Sequence, residues 1–423
     1  MEKLQAIRGM HDVLMEDTPR WQFVETRIIE ILKQYGYQEI RLPIVEYTEL
    51  FTRSIGDHTD IVSKEMYCFD DRNNTSLTLR PEGTAGCVRA GIEHGLFHNH
   101  TQKLWYAGPM FRHERPQKGR QRQFHQFGVE AFGFPGPDID AEMILMAARI
   151  WDSLGIKDLR LEINSLGTAE SRQQYRQILV DYFSAHRSTL DEDSLVRLEN
   201  NPLRILDSKN PAMQSVIADA PLLNEHLDEE SMQHFNDLCA ILDAAGIEYD
   251  INPRLVRGLD YYGRTVFEWI TGQLGAQGTV CAGGRYDGLV ESHGARPTPA
   301  VGFAIGMERI IELVNDDVIQ DVQNPHVYII VTGDNLTKAA ILFSEKLRKS
   351  INKMRVITHF GSGGIKSQFK KADKSGARYA LIIGDEEIAN GMVSIKDLRV
   401  DEAQLMLNEN ELIDLLRQNL EID

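Results

Sequence analysis

The stretch that most constrains this chain runs from Leu104 to Gly133. Two runs rich in aromatic and β-branched residues, Leu104 to Glu114 and Gln123 to Phe132, flank a polar, glycine-broken loop from Pro116 to Arg122. The pattern predicts an antiparallel hairpin with a long tip. Side chains alternate across a strand, so Gln126, Gly128 and Glu130 share one face and Phe127, Val129 and Ala131 the other. One face should be polar and the other core. On the incoming strand Arg112 and Glu114 share a face with Met110 and Gly108. An arginine and two acids on one sheet surface, beside a loop carrying Lys118, Arg120 and Arg122, form a floor for a ligand. Guanidinium forks suit a polyanion because they match phosphate oxygens in bidentate geometry. The plainer reading of the same charges is a solvated hairpin tip.

A chain of 423 residues, 42% hydrophobic and 26% charged, is long enough for two or three globular domains with substantial cores. Its longest apolar runs, such as Val327 to Val331 and Ala380 to Ile383, are too short to cross a bilayer, and its first residues have no apolar signal core. A cytoplasmic protein with no membrane partner is expected. Cys68, Cys87, Cys239 and Cys281 lie far apart, so the expectation is four reduced, buried thiols with no disulfide framework or zinc knuckle. A formal charge of -17 excludes a non-specific nucleic-acid coat. A local stripe runs the other way: between Lys338 and Arg378 eleven basic residues face only Glu345 and Asp373, a surplus of nine.

Asp17-Thr18-Pro19 predicts a capped helix start, and Val24, Ile28, Ile31, Leu32 and Tyr35 carry the helix to Gly36. A strand from Gln38 to Leu42 follows. Met66 to Phe69 and Ser76 to Leu79 predict a second hairpin, leading to Arg80-Pro-Glu-Gly-Thr84, where Thr84 can cap the next helix and Glu82 sits at the strand exit. Asp140 to Leu154 reads as helix and Leu159 to Ile163 as strand. From about Thr168 to Ile247 the pattern is helical and polar, broken at three prolines, which predicts a helical insertion. Strands return at Thr265 to Trp269 and Thr279 to Cys281, followed by a glycine turn, Ala282 to Gly288, and a strand passing into helix from Gly302 to Ile310. Antiparallel strands interspersed with helices predict an α+β domain. Asn315 to Pro325 reads as a linker, and beyond it strands and helices alternate in a smaller α/β unit of about a hundred residues.

Three short signals carry less than they promise. Gly361-Ser-Gly-Gly-Ile-Lys-Ser367 has isoleucine where a phosphate-binding loop of the Walker type needs glycine, and a tight βα turn suffices for it. His94, His98 and His100 lack the HExxH pattern or cysteine pair of a metal site. Gly283-Gly-Arg285 is too short for a dinucleotide fingerprint.

Arg112, Arg257, Arg285 and Arg309 each fall at a strand end or strand-helix turn, three of them beside glycines. Together with Glu82, Gln126, Glu130, Tyr261 and Tyr262, in a chain otherwise acidic, they point to a site for a nucleoside triphosphate and a small amine-bearing substrate. At these residues the sequence closely resembles the histidyl-tRNA synthetase family of class II aminoacyl-tRNA synthetases, over essentially its whole length. Gln5 to Met10 and the helix to Pro43 resemble the family's amino terminus and motif 1. Phe111-Arg-His-Glu114 through Phe124 and Glu130 resemble motif 2, and Gly302 to Arg309 motif 3. Leu255-Val-Arg-Gly-Leu-Asp-Tyr-Tyr262 and Ala282-Gly-Gly-Arg-Tyr-Asp-Gly288 resemble the two signatures that set the histidine enzymes apart.

The resemblance implies an antiparallel-sheet catalytic domain over residues 1–324, with the insertion at about 168–247, and an anticodon-binding domain over 325–423. It implies adenylation of L-histidine by ATP with Mg²⁺, and transfer to the terminal adenosine of tRNA(His). Arg112 and Arg257 would be the catalytic arginines, with Arg257 bridging the α-phosphate and the amino-acid carboxylate. Glu114, Arg120 and Phe124 would join Arg112 around ATP, and Arg309 would hold the γ-phosphate. Glu82, Thr84 and Gln126 would receive the α-amino group. Glu130 and Tyr262, aided by Tyr261 and Tyr286, would read both imidazole nitrogens, rejecting side chains that lack them by roughly 10⁴ to 10⁵ without editing. Motif 1 implies a homodimer. Two rivals stand beside this reading: a non-catalytic histidine-sensing regulatory subunit on the same fold, and a general adenylating or amidating enzyme. Neither accounts for the catalytic arginines and the basic carboxyl-terminal unit together.

Overall fold

The computed structural model describes residues 3–420, apart from 57–58, 207, 209, 276–277, 316–323 and 334–335. It divides into two compact units, Met1–Val318 and Ile319–Asp423. The linker expected at Asn315 to Pro325 lies largely outside the described residues.

The strands of the first unit are β1 Gln38–Glu39, β2 Val45–Tyr47, β3 Tyr67–Asp70, β4 Ser76–Leu79, β5 Gln102–Phe111, β6 Gln123–Phe132, β7 Arg160–Ser165, β8 Asp250–Ile251, β9 Gly263–Ile270, β10 Thr279–Arg285 and β11 Ala300–Gly306. Eight of them form one sheet in the order β1-β5-β6-β11-β10-β9-β7-β8. Its pairings are antiparallel except for the short β1–β5 and β7–β8 edges. The central hairpin forms as its pattern predicts, with Gly108 opposite Gln126 and Leu104 opposite Glu130. Helix Pro137–Ser153 packs on β10 and β11, and helix Thr18–Gln34 packs on it in turn. The remaining strands make a small antiparallel sheet, β2-β4-β3.

At the Glu130 end the hairpin's polar face is buried. Glu130 is 1% exposed, and Tyr106 of β5 2%. Tyr106 belongs to an apolar cluster that includes Tyr175, Leu179 and Phe183 of the insertion helix Ala169–Ala185 together with Tyr262 and Tyr286. The helical segment is thus part of the first unit's core and not a satellite.

Several local expectations need correction. The strand from Gln38 shortens to two residues because the Leu42 and Pro43 carbonyls turn to the Arg80 guanidinium, at 3.1 and 3.4 Å. Asp17 precedes its helix without a side-chain cap; its carbonyl accepts from the Arg20 and Trp21 amides and its own amide donates to the Leu14 carbonyl. Ala282 to Arg285 are strand, not turn: Gly283 pairs with Phe267 on one side and Phe303 on the other, and a Cβ on it would overlap the Gly302 carbonyl. Cys87 and Cys281 are buried, but Cys239 is half-buried and Cys68, on edge strand β3 of the small sheet, is exposed.

In the second unit β12 Val327–Thr332, β13 Val356–Thr358 and β14 Tyr379–Gly384 pair in parallel in the order β13-β12-β14. β15 Met392–Asp397 and β16 Leu405–Asn408 extend that sheet antiparallel at its edge. Parallel strands need crossover helices, and Thr337–Ser350 and Ile365–Lys374 supply them. Val327, Ile329, Leu347, Leu381, Leu412 and Leu416 form its main core. Among the described residues no helix is long and apolar enough to cross a membrane.

Candidate active site

Two acids are buried where the hairpin meets helix Thr84–Glu93. Glu82 accepts hydrogen bonds from the Thr84 and Ala85 amides at 2.6 and 3.0 Å, so its carboxylate caps the helix. The expected cap, Thr84, is instead the first helical residue, which frees its hydroxyl to donate to Glu130 Oε1 at 2.7 Å. Glu130 also accepts from the Tyr106 hydroxyl at 2.9 Å and, on Oε2, from the Tyr286 hydroxyl. Burial outweighs these bonds and pushes the Glu130 pKa up to about 8; burial also raises that of Glu82. Glu130 thus holds a proton at neutral pH when its neighbours are only hydroxyls.

Small residues make this pocket. A methyl on Gly83 or Gly128 would overlap the Tyr106 ring, and one on Gly302 would overlap Glu130 Oε2. Aromatic rings close the remaining sides, with centroids 4.6 Å apart for Tyr261 and Tyr262 and 5.5 Å for Tyr261 and Tyr286.

Beside the pocket lies an open cleft of about 710 Å³, lined by Arg112, Glu114, Arg120, Phe124, Gln126, Arg257 and Arg309. Arg112 is aimed by a bond from Nε to the Pro81 carbonyl at 2.9 Å, and its guanidinium lies 5.2 Å from the Phe124 ring centre. Arg309 donates from Nε to the Gly119 carbonyl at 3.0 Å. Burial, then Arg120 and Arg112, lower its pKa, which is the electrostatic mark of cations gathered without enough negative charge between them. Arg257 pairs with Glu268 and stacks 5.6 Å from the Tyr262 ring, so it joins the cleft to the buried pocket. Burial opposes its charge, but Glu268 and the two tyrosines more than offset this, and its buried Nε has no acceptor among the described residues.

The structure therefore sorts the expected residues into two adjoining groups. Arg112, Glu114, Arg120, Phe124, Gln126, Arg257 and Arg309 face the cleft; Glu82, Thr84, Glu130, Tyr261, Tyr262 and Tyr286 form the pocket. Arg285 leaves the constellation. It is fully buried, chelates Asp140 through Nη2 and Nε at 2.7 to 3.2 Å, and donates to the Phe134 and Gly136 carbonyls, a structural tie between β10 and helix Pro137–Ser153. Of the loop cations only Arg120 lines the cleft, while Lys118 pairs with Glu312.

Several residues escaped the sequence. Tyr106 shares the strand parity of Gly108 and Arg112 and was open to that argument. Glu268, ion-paired to Arg257, carries no motif of its own. Glu308, which accepts from the His125 amide at 2.9 Å and from its ring, lies within the Gly302 to Arg309 string. Asp191, Asp193, Arg197, Ser208 and Asn210 of the insertion line the far wall of the cleft, and only the fold brings them there.

A family model described as histidyl-tRNA synthetase matches residues 9–310, and one described as an anticodon binding domain matches residues 326–419. A histidine–tRNA ligase from Halorhodospira halophila is 58% identical over 415 residues, 98% of each chain. One from Hydrogenovibrio crunogenus is 56% identical over 420 residues, 99% of each chain. Among solved structures, apo histidyl-tRNA synthetase from S. aureus superposes with a TM-score of 0.81 at 35% identity, covering 98% of this chain and 100% of that one.

Proposed function

Because the chain belongs to the histidyl-tRNA synthetase family, we propose a division of labour among the residues of its two-part site. The activity is that of a histidine–tRNA ligase. Histidine and ATP give histidyl-adenylate and pyrophosphate; the terminal adenosine hydroxyl of tRNA then takes the histidyl group and AMP leaves. The observation that carries the residue assignment is the join at Arg257, between a carboxyl ringed by hydroxyls and a cleft ringed by arginines.

In this reading the imidazole enters among Tyr261, Tyr262 and Tyr286 and meets Glu130. The carboxyl group and the phenols offer both donors and acceptors, as a ring with two unlike nitrogens requires. Glu82, Thr84 and Gln126 receive the α-amino group, which puts the substrate carboxylate toward Arg112 and Arg257. Glu114 and Phe124 hold the adenine of ATP, Arg112 grips the α-phosphate, Arg120 joins them around ATP, and Arg309 holds the γ-phosphate. The carboxylate attacks the α-phosphorus and pyrophosphate departs. Arg257 stabilises the charge that builds on the α-phosphate oxygens, a term that acts mainly in the transition state.

Mg²⁺ supplies further neutralisation of the triphosphate. Among the described residues no three acids or histidines gather into a cation cage. In the cleft Glu268 and Glu308 are the carboxylates that would help hold such an ion beside the triphosphate. The second unit holds the tRNA anticodon, and we place the functional boundary at residues 324–325, between the stretches matched at 9–310 and 326–419 and a few residues past the division at Val318. We further infer a homodimer built on the segment from Thr18 to Pro43, because Ile44, Val45, Tyr47 and Phe69 beside it remain exposed. A regulatory role without catalysis is disfavoured, since the chain keeps the cleft arginines and a carboxyl-terminal unit that matches the anticodon-binding family.

Single-turnover adenylation by Arg257→Ala tests the assignment. The variant should keep its circular dichroism and lose about 10²- to 10³-fold in rate. A rate within threefold of wild type would remove Arg257 from this role.

A further inference from the structure

In the second unit the chain leaves β13 through His359 and Phe360, crosses Gly361-Ser-Gly-Gly364, and enters helix Ile365–Lys374. Every residue of that glycine turn is exposed and no side chain caps the helix; the Ser367 amide turns back to the Gly364 carbonyl at 2.9 Å, which leaves the Ile365 and Lys366 amides at a bare positive end. A second feature sets this helix start apart. His359 is only 4% exposed, its Nδ1 lies 2.9 Å from the Tyr328 hydroxyl, and its buried Nε2 has no partner among the described residues. With the phenol donating into Nδ1, the ring proton sits on Nε2, a buried donor left unspent. Burial, then Lys371, lower the His359 pKa, which keeps the ring neutral. Nε2 is 3.9 Å from where a Cβ on Gly363 would stand, so it is aimed at the underside of the turn. Lys366, Lys370 and Lys371 are exposed on the same helix, and Phe360 projects beside the turn, 64% exposed.

We propose that this turn seats a backbone phosphate of the tRNA anticodon arm, with an adjoining unpaired base stacked on Phe360. The inference rests on the tRNA reading above and adds a location to it. Glycine amides, a bare helix start and an N–H donor suit a phosphate oxygen. A free phosphate ion would use those groups equally but would leave Phe360 without purpose; a base stacked on an exposed ring accounts for it.

The test uses full-length protein and an RNA hairpin of the anticodon arm. Binding is followed by fluorescence anisotropy across a salt series, with wild-type aminoacylation measured alongside. Phe360→Ala should weaken RNA binding about tenfold. His359→Phe, which keeps the ring volume and removes an uncharged donor, should weaken RNA binding with the slope of log affinity against log salt unchanged. Both variants should retain wild-type Tm and pyrophosphate exchange. Should His359→Phe lose its fold, Lys366→Ala takes its place in the salt series, where it should reduce the slope by roughly 0.7 to 0.9, the share of one phosphate contact. In wild-type protein the His359 Nε2 proton resonance should move with the RNA hairpin at concentrations where inorganic phosphate has no effect. Unchanged affinity and slope in folded variants, while wild type binds and charges RNA, would overturn this site and leave the tRNA reading intact. A resonance that answers inorganic phosphate and not RNA would overturn it too, in favour of a free anion.

Discussion

Glu130 and Arg257 sit on either side of the join between pocket and cleft, so their substitutions should fail differently. Arg257→Ala loses rate. Glu130→Gln should lose histidine recognition, because an amide cannot accept in every direction the carboxylate does, and a mispaired buried group costs about 1 to 3 kcal/mol. A titration gives an independent reading. The Glu130 pKa is raised from 4.5 to about 8 on folding, so between those values the folded protein holds a proton that the unfolded chain has released. The associated stability is complete below the unfolded pKa and is lost as pH rises through about 8. Glutamine stays neutral throughout. The variant should therefore gain on wild type by up to about 1.4 kcal/mol per pH unit across the upper part of that window. Parallel Tm-against-pH curves would show that Glu130 is ionised in the empty pocket.

At the scale of elements, glycines on the strands decide what the pocket can contain. Gly128→Ala forces the Tyr106 ring aside and with it the hydroxyl that donates to Glu130. Overpacking of this kind costs about 1 to 3 kcal/mol, and histidine KM should rise while ATP KM stays within threefold. Equal changes in both constants would mean that the strand itself had shifted. Arg285 makes the opposite case. Arg285→Leu leaves Asp140 buried without its cation, held by His234 and Thr265 alone, and should cost about 3 to 5 kcal/mol as a lowered denaturation midpoint. The kcat of the variant that still folds should be near wild type; a large fall in kcat with little loss of stability would return Arg285 to the site. These two residues also mark how far the sequence could be read. Strand parity placed Gln126 and Glu130 on one face correctly, because a period of two needs no partner. It left Arg285 among the site arginines because the burial that hides it comes from a helix more than a hundred residues earlier. Glu82 capping in place of Thr84 is of the same kind, since the two differ only in which group the Glu130 carboxyl draws away.

At the scale of the whole molecule, the groups proposed to hold ATP and histidine all belong to the first unit and the basic surplus to the second. Strand and helix alternation after Pro325 made that second unit legible from sequence, whereas the insertion's share of the cleft wall was not, because polar helix starts such as Asp191 read as caps. Removing the residues after Pro325 should leave histidine activation largely intact and cut tRNA charging severely. Charging by the full chain should also weaken as salt rises, with pyrophosphate exchange much less affected. A truncated protein that charges tRNA with unchanged kcat/KM would contradict the anticodon assignment. The central claim is that the Glu130 pocket selects the imidazole while the arginine cleft activates it. ATP–pyrophosphate exchange with each of the twenty amino acids, run on wild type and Glu130→Gln, tests it most directly. Histidine alone should support exchange in wild type, and the variant should lose kcat/KM for histidine by about 10²-fold or more with ATP KM within threefold. Exchange with another amino acid at a comparable rate, or a Glu130→Gln variant that keeps its preference for histidine undiminished, would contradict it.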